Sequence, residues 1–221
     1  LMSVRRLSAA LLLVVCAARS GAAQSRFTPA DSLLAREVFK QLIEMVTTDS
    51  AAHTYQAARA MADRLISAGF PAADVRIVGP DSTHGNLIVR YRGRDPAARP
   101  FVVMAHLDVV PARREDWSVD PFTFLERDGW YFGRGTTDDK VGAAILVTNF
   151  IRLKRAGFVP ERDIVMSLEG DEETTGASIQ WTLSRRRELL GDVAFAFNTD
   201  AGGGDLSNGH RTAFTVQASE K

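Results

Sequence analysis

From Asp31 onward the chain alternates between two periodicities, and several of its apolar strand-like runs end in acidic residues. Asp31 to Thr48 carries Leu33, Leu34, Val38, Leu42, Ile43 and Val46 at helical spacing, and Thr54 to Ala68 repeats the pattern before Gly69. "DVRIVG", "NLIVRYRG" and "FVVMAHLDVV" then read as strands, and a polar loop through "RREDWSVDPF" leads to a short strand at "WYFGRG". Asp138 to Ala156 reads as a helix, "DIVMSLEG" as a strand, Ala177 to Leu190 as a helix, and "VAFAFNTD" and "TAFTVQAS" as strands, with the glycines of "GGGDLSNG" making turns. Helices interleaved with near-continuous apolar strands predict an α/β fold: a three-layer αβα sandwich around a mixed, largely parallel central sheet.

In such sheets the ligand site lies beyond the carboxyl ends of the strands. Four clusters fall there: His106 with Asp108, Asp138 with Asp139, Asp171 with Glu172 and Glu173, and Asp200. One carboxylate at a strand end is ordinarily a helix cap. Four converging clusters repel one another and require protons or cations to offset them. Imidazole with carboxylates and no thiolate suits zinc, with cobalt or manganese as substitutes. Two cations about 3.5–4 Å apart would activate a water and polarise a carbonyl, which is hydrolytic chemistry, and a carboxylate that is not a ligand would move the proton.

Composition narrows the partners. Lys plus Arg and Asp plus Glu stand at 27 each, so no basic field exists to attract nucleic acid or anionic lipid. At the N-terminus, Arg5 and Arg6 precede an apolar run from Leu7 to Ala18 and small residues ending at Ala23, the pattern of a signal peptide over residues 1–23. That run is too short to span a bilayer. Export to the periplasm or outside the cell is therefore expected, with no membrane association after removal of the signal. Removal also takes away Cys16, the single cysteine, so no disulfide is expected.

"HLDVVP", "WSVDPF", "GRGTTDDK", "EGDEETTG" and "NTDAGGG", in that order, resemble the dinuclear-zinc exopeptidase and deacylase family that includes aminoacylase, carboxypeptidase S, glutamate carboxypeptidase, acetylornithine deacetylase and succinyl-diaminopimelate desuccinylase. The resemblance runs from about Asp31 to Lys221. It implies two Zn2+ per complete site, His106 and Asp200 as ligands of one metal, Asp138 as the bridge and Glu173 as a ligand of the second. It implies Glu172 as the general base, Asp108 as the residue that orients the His106 ring, and a cis peptide between Asp138 and Asp139. It also implies a small peptide or N-acyl-amino-acid substrate.

Two departures from the family pattern stand out. Val141 precedes Gly142 where the family has glycine directly after the lysine. The family's last ligand is a distal histidine beyond an inserted lid domain that also forms a homodimer, and only His53, His84, His106 and His210 exist here. His53, His84 and His210 read as surface residues. Residues 24–221 are therefore expected to be the N-terminal part of the catalytic domain, lacking the lid and the last ligand and weakly active or inactive alone. Two other functions fit the same scaffold: a secreted non-catalytic binding module, which would have no need of Glu172, and a two-metal phosphoesterase.

Overall fold

The computed structural model describes residues 27–49, 53–200 and 203–215. The signal-peptide reading and Cys16 lie outside them. Helix α1 spans Pro29–Ile43 and α2 Thr54–Ser67. Strands β1 (Val75–Val78), β2 (Asn86–Tyr91) and β3 (Phe101–His106) follow, then a small ribbon of β4 (Leu125–Arg127) and β5 (Trp130–Phe132). Helix α3 covers Lys140–Arg155, β6 Ile164–Glu169, α4 Ala177–Arg185 and β7 Phe195–Asn198, and β8 (Gly203–Ser207) and β9 (His210–Thr215) form a hairpin.

The central sheet has the order β1-β2-β6-β3-β7. Strand β2 runs antiparallel to both of its neighbours, while β3 runs parallel to β6 and β7, so the sheet is mixed. Side-chain alternation divides it into two faces. Leu87, Val89, Tyr91, Ala105, Met166 and Leu168 pack against α1, α2 and α3 in the larger core. Ile88, Val102 and Val165 face the other way, where Trp181 of α4 and Leu190 complete a smaller core. Helices on both faces give the three expected layers.

Element ends differ from the sequence reading for local reasons. Helix α1 begins earlier than Asp31 because Thr28 and Asp31 form a capping box and Pro29 suits the first turn. It ends at Ile43, before Thr48, because the following loop is drawn toward the strand ends by Thr47. Strand β3 stops at His106: the Val109 amide donates to Thr47 O at 3.1 Å, so the last apolar residues of "HLDVV" join the loop and not the ladder. Helix α4 ends at Arg185, and a short turn at Arg187–Leu189 lets Leu190 reach the smaller core. The "GGGDLSNG" segment is not all turn, since Gly203–Ser207 forms β8 and only Asn208 and Gly209 make the bend. Strand β4 had no sequence signal because its three residues alternate too briefly.

Strand β7 is the open edge of the sheet and exposes Phe195 (46%) and Phe197 (60%) beside Phe101. At the other side of the fold, one buried amide ties three elements together. Asn86 Oδ1 accepts from Gly170 N at 2.9 Å, while Nδ2 donates to Thr182 Oγ1 at 3.0 Å. Asn86→Ala should strand the Gly170 amide away from water, and is expected to lower stability by about 3 kcal/mol. Urea denaturation of the variant would show it as a lower midpoint, and an unchanged midpoint would mean that water replaces the amide.

Candidate metal centre

Three of the four expected metal ligands, His106, Asp138 and Asp200, come together where β3 and β7 end. His106 is the last residue of β3 and is 2% exposed. Its Nδ1 lies 3.0 Å from the Asp108 carbonyl oxygen, so a proton on Nδ1 leaves the Nε2 lone pair facing outward. Nε2 lies 2.8 Å from Asp138 Oδ1 and 3.9 Å from Asp200 Oδ1. One ligand atom from each of these three side chains falls within 4.8 Å of the others. Among the described residues this is the group able to hold a metal ion. Glu173 and His210 are outside it; His210 is exposed on the β8–β9 hairpin.

The Asp108 carboxylate has a further task. Its Oδ1 accepts from Glu172 N at 3.1 Å and its Oδ2 from Glu173 N at 2.9 Å, while Oδ1 sits 3.4 Å from His106 Nδ1. A short side chain at the exit of β3 thereby holds the loop that leaves β6. Asp171, grouped with the two glutamates in the sequence, is separated from them in role. Its carboxylate accepts from Ser178 N, Ser178 Oγ and Thr175 Oγ1, which caps the start of α4.

The Asp138–Asp139 peptide is cis, as the resemblance implies, and the two carboxylates part company. Asp138 is exposed toward Nε2 of His106, whereas Asp139 is 1% exposed and accepts from Thr199 Oγ1 at 2.7 Å. That bond ties α3 to the chain entering Asp200, and Gly142 makes room for it. A Cβ there would lie 2.2 Å from both Asp139 Oδ1 and Thr199 Oγ1. The shift of this glycine by one place relative to the family pattern thus leaves the close approach intact.

The electrostatics of the cluster favour a cation. Burial disfavours charge on His106, but the Asp108 and Asp138 carboxylates outweigh it and raise its pKa to about 10. Burial pushes Asp139 up to about 6 and Glu169 up to about 7, and raises Glu173 and Asp200 as well. Glu169 Oε1 is buried with no hydrogen-bond partner among the described residues, close to His106 and Glu172. Two ligand atoms bound to one zinc at about 2.0–2.2 Å lie at most about 4.4 Å apart, so small side-chain rotations suffice to seat an ion among His106, Asp138 and Asp200. The residues present fit a metal.

Comparison with known proteins agrees with this geometry. The model of Peptidase family M20/M25/M40 matches residues 102–215. The chain belongs to this family. Human N-fatty-acyl-amino acid synthase/hydrolase PM20D1 is 33% identical over 192 residues, which is 84% of this chain and 37% of that protein. The Beta-Ala-Xaa dipeptidase of Lactobacillus delbrueckii subsp. lactis is 33% identical over 120 residues, 54% of this chain and 24% of that protein. In fold, the chain matches the di-peptidase Dug1p of Saccharomyces cerevisiae with a TM-score of 0.66 at 21% identity, over 77% of this chain and 39% of that one. Human carnosine dipeptidase 1 gives 0.62 at 20% identity, over 78% and 40%. This chain thus spans about two fifths of the human relative's length.

Residues left without a role in the sequence reading include Asp139, Lys140 and Glu169. All three stand in the quoted motifs, but which of two adjacent acids turns toward His106 depends on backbone direction, which spacing alone does not encode. Lys140 is fully buried, and that burial pushes its ammonium pKa down to about 7 against the opposing pull of Asp108. For Asp108, replacement by Asn retains one carbonyl oxygen and turns an NH2 toward the second amide. Asp108→Asn is expected to cost about 1–3 kcal/mol of stability and to weaken metal binding about tenfold or more. Urea denaturation and a chelator-competition titration would measure the two; full metal affinity in the variant would remove Asp108 from the site's support.

Proposed function

We propose that the protein containing this chain is a zinc-dependent hydrolase of the amide bond in N-acyl amino acids or small peptides. The observation that carries this reading is the His106, Asp138 and Asp200 cluster at the strand ends, with the Glu172–Glu173 loop held beside it by Asp108. The longer match to the human N-fatty-acyl-amino acid synthase/hydrolase favours an N-acyl amino acid as substrate over a dipeptide. Cobalt or manganese would satisfy the same donors. Residues 24–221 are read as one part of a larger catalytic domain, in keeping with the uncovered edge of β7 and the greater length of the relatives. Export rests on the Arg5-Arg6 start, the apolar run from Leu7 to Ala18 and the small residues up to Ala23.

His106 Nε2, Asp138 and Asp200 would hold the first zinc, and Glu173 would contribute to holding a second. A bound zinc supplies Lewis acidity toward the substrate carbonyl and toward water. Glu172, exposed at the mouth of the site, takes a proton on a carboxylate oxygen as water attacks, and returns it to the departing amine nitrogen. His106 stays oriented because Nδ1 is anchored on the Asp108 carbonyl. Asp108 meanwhile keeps the base at a fixed distance from the cluster by holding both glutamate amides.

In the full-length protein, Glu172→Gln should leave zinc content unchanged and lower turnover of N-acyl amino acids by about 100-fold or more. Glu173→Gln should instead lower zinc content. Metal analysis beside steady-state kinetics separates the two. Loss of zinc from Glu172→Gln with normal residual turnover would reverse the assignment, and hydrolysis that survives complete zinc removal would overturn the function.

A further inference from the structure

The least expected side chain inside the domain is Lys140. It stands at the first position of α3, two residues after Asp138, and is 0% exposed. Its Nζ donates to the Met45 carbonyl oxygen at 2.7 Å, across 95 positions of sequence. A buried ammonium is costly, and a methionine would fill a similar volume without that cost. The fold also shapes its backbone to admit this side chain. Gly135 has φ +92°, and a Cβ there would lie 2.7 Å from Lys140 Cδ and 3.0 Å from Cγ. The glycine and the lysine of "GRGTTDDK" are therefore one device: the first clears the channel that the second occupies.

The far end of that channel is the loop between α1 and α2. Two residues past Met45, Thr47 is fully buried, its Oγ1 donates to Leu107 O at 2.7 Å, and its carbonyl accepts from Val109 N at 3.1 Å. Those two bonds bracket Asp108 from either side. Leu107 N in turn donates to Glu169 O at 2.7 Å, and the Asp108 carboxylate holds the amides of Glu172 and Glu173. One hydrogen-bonded path thus runs from the start of α3, through the α1–α2 loop, to both strand exits.

We propose that Lys140 is a positioning residue for the metal centre, fixing through Met45 and Thr47 the segment that carries His106 and Asp108. This rests on reading His106, Asp138 and Asp200 as metal ligands. Lys140 touches neither metal nor substrate; it sets the backbone on which His106 is aimed. Because Asp138 and Lys140 share the start of α3, the same side chain ties the two ligand-bearing segments to each other.

The test uses the full-length protein, stripped with chelator and titrated with Co2+, whose visible absorption reports ligand geometry. Lys140→Met and Thr47→Val should each weaken Co2+ binding by about 10- to 100-fold and alter the absorption band, the range seen when support of a metal ligand is removed. Combined, they should lose less than the product of the single losses, because they break one path. Tyr91→Phe, which removes only the hydroxyl bonded to Phe158 O at 2.6 Å far from the site, should lower the melting temperature and leave Co2+ affinity and absorption unchanged. If Lys140→Met lowers the melting temperature alone, with Co2+ affinity and spectrum intact, its role is structural and the proposal is overturned. Should that variant not fold, Thr47→Val, which deletes one hydroxyl, decides in the same way. An unmodified protein that binds no Co2+ would overturn the metal reading itself and not the path from Lys140.

Discussion

The carboxylate of Asp108 accepts two backbone amides from a different strand's exit loop, and it does so 3% exposed to solvent. Buried amides that lose an acceptor are costly, so this arrangement locks the position of the Glu172–Glu173 loop relative to β3. The same residue's carbonyl oxygen anchors His106 Nδ1. One residue thus fixes, by backbone and side chain together, both the His106 imidazole and the pair of glutamates beside it. The apolar residues on either side, Leu107 and Val109, are fully buried or nearly so, which keeps the turn from moving even though it has left the sheet.

Around that point the domain gathers several carboxylates beside one imidazole. The Asp108 and Asp138 carboxylates raise the pKa of His106, and the raised pKa values of Glu169, Asp139, Glu173 and Asp200 all have burial as their leading cause. Burial and charge repulsion act in the same direction on most of these groups, and a bound cation would oppose both by favouring the ionised carboxylates. The hydrogen bonds behind the cluster are directed at holding these groups in place: Asp139 is spent on Thr199, Asp171 on the start of α4, and Asn86 on Gly170. What remains grouped together is Asp138, Asp200 and the Nε2 of His106.

Much of this was legible in the sequence, and the unequal legibility has physical causes. Strands β2, β3 and β6 read clearly because their residues are buried on both faces and so form continuous apolar runs. The end of β3 did not, because Leu107 and Val109 are as apolar as strand residues but bond to Thr47 and Glu169 outside the regular ladder. Gly203–Ser207 read as turn because glycine tolerates turns, yet pairing with His210–Thr215 supplies the bonds that make it a strand.

By itself the sequence determined the alternation of helix and strand, the family-bearing motifs and the residue types able to hold a metal, since these depend on periodicity and on donor chemistry. It also showed a lysine beside two aspartates in "TTDDK". Only the tertiary structure decided that Asp139 turns to Thr199, that Asp171 serves a helix while the amides of its neighbours bond Asp108, and that Lys140 points inward to Met45. Asp171 bonds Thr175 and Ser178 close by, but Asp139 and Lys140 each depend on a partner dozens of residues away along the chain. Local spacing carries no information about such partners until the sheet order brings the ends of β3, β6 and β7 side by side.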